Sequence, residues 1–277
     1  MQCTRRIQLK SGEIVPCGKC YACLANQRQE WIFRLQQEFK VSELAIFVTL
    51  TYDEQHVPFD LSVNKRDVQL FHKRLRKHFP AKDLRFYVVS EYGDHTQRPH
   101  YHGLYFFKSR HDLDFIYKTF TESWKNGFLK FGNVEEGSIV YCTKYCLKHN
   151  STPPGRTKTF RLVSKMNGGL GVNYLDKMSD YHLSNEQFSY VSENGKTCRM
   201  PRYYRLQLGH VQDRFAKSDE FYSENINDFR KRYSDFIRLH GKFPSVEAGQ
   251  TAFLESERRR RERSEDLVLK HLKKQKF

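Results

Sequence analysis

The chain has 277 residues, 38% hydrophobic and 29% charged, a soluble globular balance that fits one medium domain with appendages or two small domains. No apolar run approaches the roughly 18 residues that cross a bilayer, and MQCTRRIQLKSGE holds no signal stretch, so an intracellular protein with its seven cysteines reduced is expected. Lys and Arg outnumber Asp and Glu by 48 to 32, a formal charge of +16, which points to a polyanionic partner: DNA or RNA, with an anionic membrane surface as the alternative.

Residues 1–23 hold four of the cysteines and little apolar pattern. Residues 24–40 predict a helix, with Leu24, Trp31, Leu35 and Phe39 at helical spacing and Arg28 and Arg34 off that stripe. AIFVTLTY, residues 45–52, predicts a buried strand. Residues 65–79 predict a basic amphipathic helix that stops before Pro80. Strands are expected over 84–92 and 100–107, joined by the turn-rich GDHTQRP. A helix over 112–124 ends before Asn126-Gly127, a fourth strand spans 127–134, and a helix capped by Ser138 covers 138–149. The order β-α-β-β-α-β and then a helix predicts an α+β fold: a split βαβ antiparallel sheet of ferredoxin-like type, with helices on one face and the other face open for binding. Residues 155–205, rich in Gly, Ser and Tyr, resist assignment. From 206 to 277 the chain predicts helices with strong charge, ending in a basic run that reads equally as a nucleic-acid arm or a solvated helix.

Three clusters carry chemistry. In Arg98-Pro99-His100-Tyr101-His102-Gly103 the histidines sit two apart, so a strand turns both imidazoles to one face. If 84–92 and 100–107 pair as a hairpin, Glu91 returns close to His100. Two imidazoles and a carboxylate suit Mg²⁺ or Mn²⁺ at a phosphodiester. Alone, the pair is also consistent with two surface histidines. In Tyr141-Cys142-Thr143-Lys144-Tyr145-Cys146-Leu147-Lys148, Tyr141, Tyr145 and Lys148 share a helix face, with Lys144 beside them. A nearby ammonium favours a phenolate and steadies charge on a phosphate. Alone, this pattern is also how aromatics pack a helix onto a sheet. Cys3, Cys17, Cys20 and Cys23 form overlapping C-x-x-C steps plus one distant cysteine, a set that reads as a structural zinc site or as free thiols. Gly195-Lys196-Thr197 resembles the end of a phosphate loop, but Tyr190 stands where the pattern needs glycine, so no ATPase motor is read here.

The apolar strand FVTLTYD (47–53), the metal strand RPHYHG and the helix YCTKYCLK occur in the order found in His-hydrophobe-His endonucleases that initiate rolling-circle replication. The paired tyrosines resemble those of the initiators of small icosahedral single-stranded DNA phages, and PCGKCYACLANQRQEWIFR (16–34) resembles the gokushovirus branch. This resemblance implies a cysteine-rich cap over 1–23, an endonuclease domain over 24–205 and a helical basic region over 206–277. It implies metal ligands Glu91, His100 and His102, with Asp94 or His95 as alternatives to Glu91. Catalytic Tyr141, Tyr145, Lys144 and Lys148 follow in the same way, with Arg98, Arg28 and Arg34 toward DNA. The implied reaction is tyrosine transesterification on single-stranded origin DNA, giving a 5′-phosphotyrosine and a 3′-hydroxyl, in the cytoplasm of an infected bacterium, with a host helicase and polymerase as partners. The rival from another class is a non-catalytic single-stranded nucleic-acid-binding module; within the superfamily, plasmid and transposon nucleases are the rival.

Overall fold

The computed structural model describes residues 3, 6–10, 14–93, 96–144, 152–192, 195, 197–209, 230–241, 243–253, 255–257 and 259. The chain forms two compact units, residues 1–208 and 209–277. In the first unit, β1 (Ile7–Gln8) and β2 (Ile14–Val15) pair antiparallel ahead of α1 (Tyr21–Phe39). There follow β3 (Leu44–Tyr52), α2 (Lys65–Leu75), β4 (Leu84–Tyr92), β5 (Pro99–Phe107), α3 (Leu113–Ser123), β6 (Gly127–Asn133) and α4 (Glu136–Lys144). The stretch that resisted assignment contains β7 (Arg161–Val163), α5 (Asn173–Ser184), the hairpin of β8 (Ser189–Val191) with β9 (Thr197–Arg199), and α6 (Arg202–Gln207).

The central sheet runs β6-β3-β5-β4-β7, and every neighbouring pair is antiparallel. β3 and β4 are therefore parallel to each other and split by β5, the expected split βαβ arrangement of an α+β fold. The crossover helices start on side-chain caps. Asn64 accepts from the Arg66 amide at 2.8 Å, and Asp112 accepts from the Phe115 amide at 3.0 Å. Val68, Phe71 and Leu75 of α2 and Ile116 and Phe120 of α3 bury one helix face each against Val48, Leu50, Val88, Tyr101 and Tyr105 of the sheet. Burying an aliphatic or phenyl group of this size stabilises by about 1.5–3 kcal/mol.

The second face is not open, which corrects the sequence reading. Leu35 of α1 and Ile139 and Cys142 of α4 pack over Tyr87, Val89, Leu104 and Phe106. The reason lies in β4 and β5, where large apolar side chains alternate onto both faces. A strand apolar on both sides needs a layer on each. A second correction concerns Ser138. α4 begins at Glu136, so Ser138 sits in its first turn, where its hydroxyl accepts from the Glu135 amide and donates to the Asn133 carbonyl, both at 3.2 Å. In the second unit, residues 230–240 and 246–253 are helical, and Tyr233, Phe236 and Phe253 pack their rings together.

Candidate active site

The hairpin of β4 and β5 sets Glu91 directly opposite His100 and Val89 opposite His102. Opposed residues share a face, so the carboxylate and both imidazoles converge at the end of the strands. Glu91 Oε2 lies 3.2 Å from His100 Nε2 and 3.1 Å from His102 Nε2. His100 Nδ1 faces the Arg98 carbonyl at 3.2 Å. A carbonyl only accepts, so Nδ1 carries a proton and donates to it. His102 Nδ1 meets Thr49 Oγ1 of β3 at 3.2 Å. Burial holds the His102 imidazole below its usual pKa; Glu91 opposes the shift, and the charges of His100 and Lys144 add to it.

At this range each Nε2 can donate to the carboxylate or share a cation with it. The ligand atoms of the three residues lie within 4.8 Å of one another. A cation with ligands at about 2.1 Å separates adjacent ligands by roughly 3.0 Å, close to the two distances seen, so the donor set fits Mg²⁺ or Mn²⁺. Asp94 and His95, the alternative ligands, lie outside the described residues.

α4 crosses the same face. The Tyr141 ring stands edge-on to the His102 ring, 5.4 Å away at 83°, and 6.1 Å from Phe47. Lys144 Nζ lies 4.8 Å from the Tyr141 ring centre. Buried Ile139, Cys142 and Thr143 seat the helix, and Arg28 of α1 donates to the Val140 carbonyl at 3.3 Å. Tyr145 and Lys148 lie outside the described residues. The two other basic residues singled out from the sequence are also engaged within the protein. Arg98 pairs with Glu54 at 2.5 Å and donates to the Tyr52 carbonyl at 3.1 Å. Arg34 is half-buried, donates twice to the Leu170 carbonyl, and lies over the Trp31 and Tyr203 rings. Sequence reasoning missed Thr49. Its signal was the pair Thr49 and Thr51 on one face of an otherwise apolar strand.

Cys3, Cys17, Cys20 and Cys23 also come together, their sulfurs within 4.8 Å of one another. Cys20 Sγ lies 3.7 Å from Cys3 Sγ, near the roughly 3.8 Å edge of a tetrahedron with Zn–S bonds of about 2.3 Å. The Lys19 and Cys20 amides donate to Cys17 Sγ and hold that thiol below its usual pKa. Burial and a hydrogen bond with Cys3 push Cys23 up to about 12. Four sulfurs this close cannot all be thiolates without a cation, and the set fits zinc.

Residues 45–150 match the replication-associated protein family named for ORF2. That range runs from the second residue of β3 through α4, and includes Thr49, Glu91, both histidines and Tyr141. The replication-associated protein VP4 of Bdellovibrio phage phiMH2K is 30% identical over 69% of this chain and 66% of its own length. The replication-associated protein ORF2 of Spiroplasma virus 4 is 26% identical over 79% of this chain and 73% of its own length. ORF4 of Chlamydia phage 1, likewise a replication-associated protein, is 25% identical over 79% of this chain, which spans 58% of that relative. The matched strands and helix are those that assemble the site, and the chain belongs to this family of phage replication-associated proteins.

Proposed function

We propose that the chain initiates replication by nicking single-stranded DNA at an origin and joining itself to the cut end. The observation that carries this reading is the Tyr141 ring against His102, on the face where Glu91, His100 and His102 converge. Glu91, His100 and His102 hold Mg²⁺ or Mn²⁺, which when bound polarises the scissile phosphate. Tyr141 Oη attacks phosphorus, its bond to phosphorus forming as the bond to the 3′ oxygen breaks. The phenol loses its proton and the 3′ oxygen gains one. The products are a 5′-phosphotyrosine and a 3′-hydroxyl that primes synthesis. One phosphodiester replaces another, so rejoining needs no ATP.

Lys144, close to the Tyr141 ring, favours the phenolate and steadies charge on the phosphate. Tyr145, four positions on in the sequence, serves as the second nucleophile, and Lys148, three positions further, supports it. The second tyrosine is needed because the first still carries the strand end when the fork returns. Cys3, Cys17, Cys20 and Cys23 hold a structural zinc, Arg98, Arg28 and Arg34 lie toward the DNA path, and host helicase and polymerase supply unwinding and synthesis in the cytoplasm of the infected cell.

The test is incubation with single-stranded DNA of the replicon that encodes the chain, with Mn²⁺ or Mg²⁺, scored for a protein–DNA adduct that survives denaturation. Tyr141→Phe and Tyr145→Phe singly should each leave some adduct, and the double substitution none. His100→Ala with His102→Ala should abolish the adduct while DNA affinity stays within about threefold, because charge dominates binding. Binding without cutting by the wild-type chain in either metal would instead mark a non-catalytic module, and an adduct that persists in the double tyrosine variant would rule these nucleophiles out.

A further inference from the structure

The register of the sheet extends the site sideways. Glu91 opposes His100, His100 opposes Thr51, and Thr51 opposes Phe128 of β6. The next row runs Val89, His102, Thr49 and Lys130. Because directly opposed residues share a face, Phe128 and Lys130 stand on the metal-binding face, two strands from the histidines. Strands lie about 4.8 Å apart, which puts Phe128 roughly 10 Å from His100 along the row.

Phe128 is 68% exposed and Lys130 is exposed as well. Core packing does not require either one. β6 is the sheet edge, and it anchors through Leu129 and Phe131, which pack into the core on the opposite face. Yet the position of Phe128 is tightly fixed. Thr51 Oγ1 donates to the Phe128 carbonyl at 3.2 Å, and Trp124 Nε1 donates to the Thr51 carbonyl at 2.9 Å. The preceding Gly127 has φ +147°, and a Cβ there would fall 2.4 Å from the Asp53 nitrogen and from the Thr51 oxygen. The turn thus brings the start of β6 hard against the end of β3 and holds an exposed phenyl ring in line with the metal ligands.

We propose that Phe128 and Lys130 form a subsite for one unpaired nucleotide flanking the cleaved bond, the base stacked on the Phe128 ring and its phosphate met by Lys130. The identity of the strand rests on the nuclease reading above. A phenyl face accepts any base, and an ammonium beside it supplies the complementary charge. Phe115 provides a control. It is 45% exposed, but it lies on α3, which packs on the other face of the sheet.

The test uses the full chain and a fluorescein-labelled 20-nucleotide single strand of mixed sequence, with EDTA present, read by anisotropy. Phe128→Ala should weaken binding about tenfold, the scale of one lost base stack, and Phe128→Trp should restore it. Lys130→Gln should flatten the slope of log affinity against log salt by about 0.7, the share of one phosphate contact on a single strand. Phe115→Ala should stay within twofold of wild type. Wild-type affinity in Phe128→Ala, or an equal loss in Phe115→Ala, overturns the subsite. No bond is cut under EDTA, so the two readings fail separately. Loss of affinity in Phe128→Ala without any adduct in the wild type keeps the subsite and rejects the nuclease; an adduct with unchanged Phe128→Ala affinity does the reverse.

Discussion

The two imidazoles of β5 are oriented by different means. His100 is aimed by the carbonyl of Arg98, two residues back in the chain and just before β5, and no side-chain substitution removes that contact. His102 depends on Thr49 of the neighbouring strand, whose hydroxyl meets Nδ1 at 3.2 Å. Groups that orient a metal-binding histidine typically change metal affinity by 10- to 100-fold when lost. Thr49→Val keeps the shape and β-branching of the side chain and removes only the hydroxyl. It should raise the Mn²⁺ concentration for half-maximal adduct formation by about 10-fold or more, with the rate at saturating Mn²⁺ falling far less. An unchanged Mn²⁺ requirement would mean that the ring is held by packing against Phe47, 5.8 Å away, and that the hydroxyl is incidental.

At the scale of elements, the cysteine segment and α1 are one device. Cys20 is the N-cap residue of α1 and Cys23 lies in its first turn, so the sulfur cluster fixes where the helix starts. The same helix reaches α4 through Arg28. Metal analysis should find about one zinc per chain, lost in Cys20→Ser. That variant should melt roughly 5–10 °C lower, the effect of a few kcal/mol in a unit of this size, and should also form adduct more slowly. Full zinc content in Cys20→Ser would exclude this site. β3, β4, β5 and β6 were legible as short runs rich in β-branched and aromatic residues between turn signals, and α2 and α3 as helical segments stopped before Pro80 and Asn126-Gly127. What covers the second face was not, because the stripe on α1 says that a face is buried and not against which partner. β7 escaped notice for a similar reason. Three residues carry no period, and Arg161–Val163 becomes a strand only through pairing with β4, more than 70 positions earlier. The histidine pair was visible from spacing, whereas Thr49 becomes meaningful only once β3 lies beside β5.

Across the whole molecule, net charge follows length: residues 1–208 are three quarters of the chain. Residues 1–208 carry 32 Lys and Arg against 20 Asp and Glu, three quarters of the total excess. Attraction to a polyanion is therefore not concentrated in either unit. Stability of the first unit should depend on pH through His72, which is buried, stacked on Phe86 at 3.7 Å and 3.1 Å from the Tyr105 hydroxyl. Burial, with a smaller contribution from the Arg76 charge, pushes its pKa down to about 3. Unfolded, the imidazole titrates near pH 6.5, so below that pH only the unfolded chain takes up the proton. Stability is thus complete above pH 6.5 and falls as pH drops toward 3, by about 2 kcal/mol at pH 5. Urea unfolding followed by Trp31 and Trp124, both in this unit, should show that loss between pH 7.5 and 5, and His72→Gln should remove it. Equal losses in both proteins would place the sensitivity elsewhere. The alternation along β5 also bears on heredity. His100, His102, Leu104 and Phe106 face one way, while Tyr101, Tyr105 and Phe107 face the other. Deleting one codon inside this strand exchanges the two sets, driving imidazoles into the core and a tyrosine onto the metal face. A substitution removes one ligand, but a lost codon removes the site and the core together, so lineages of this gene should vary in length between β-strands and keep the length of β5 constant.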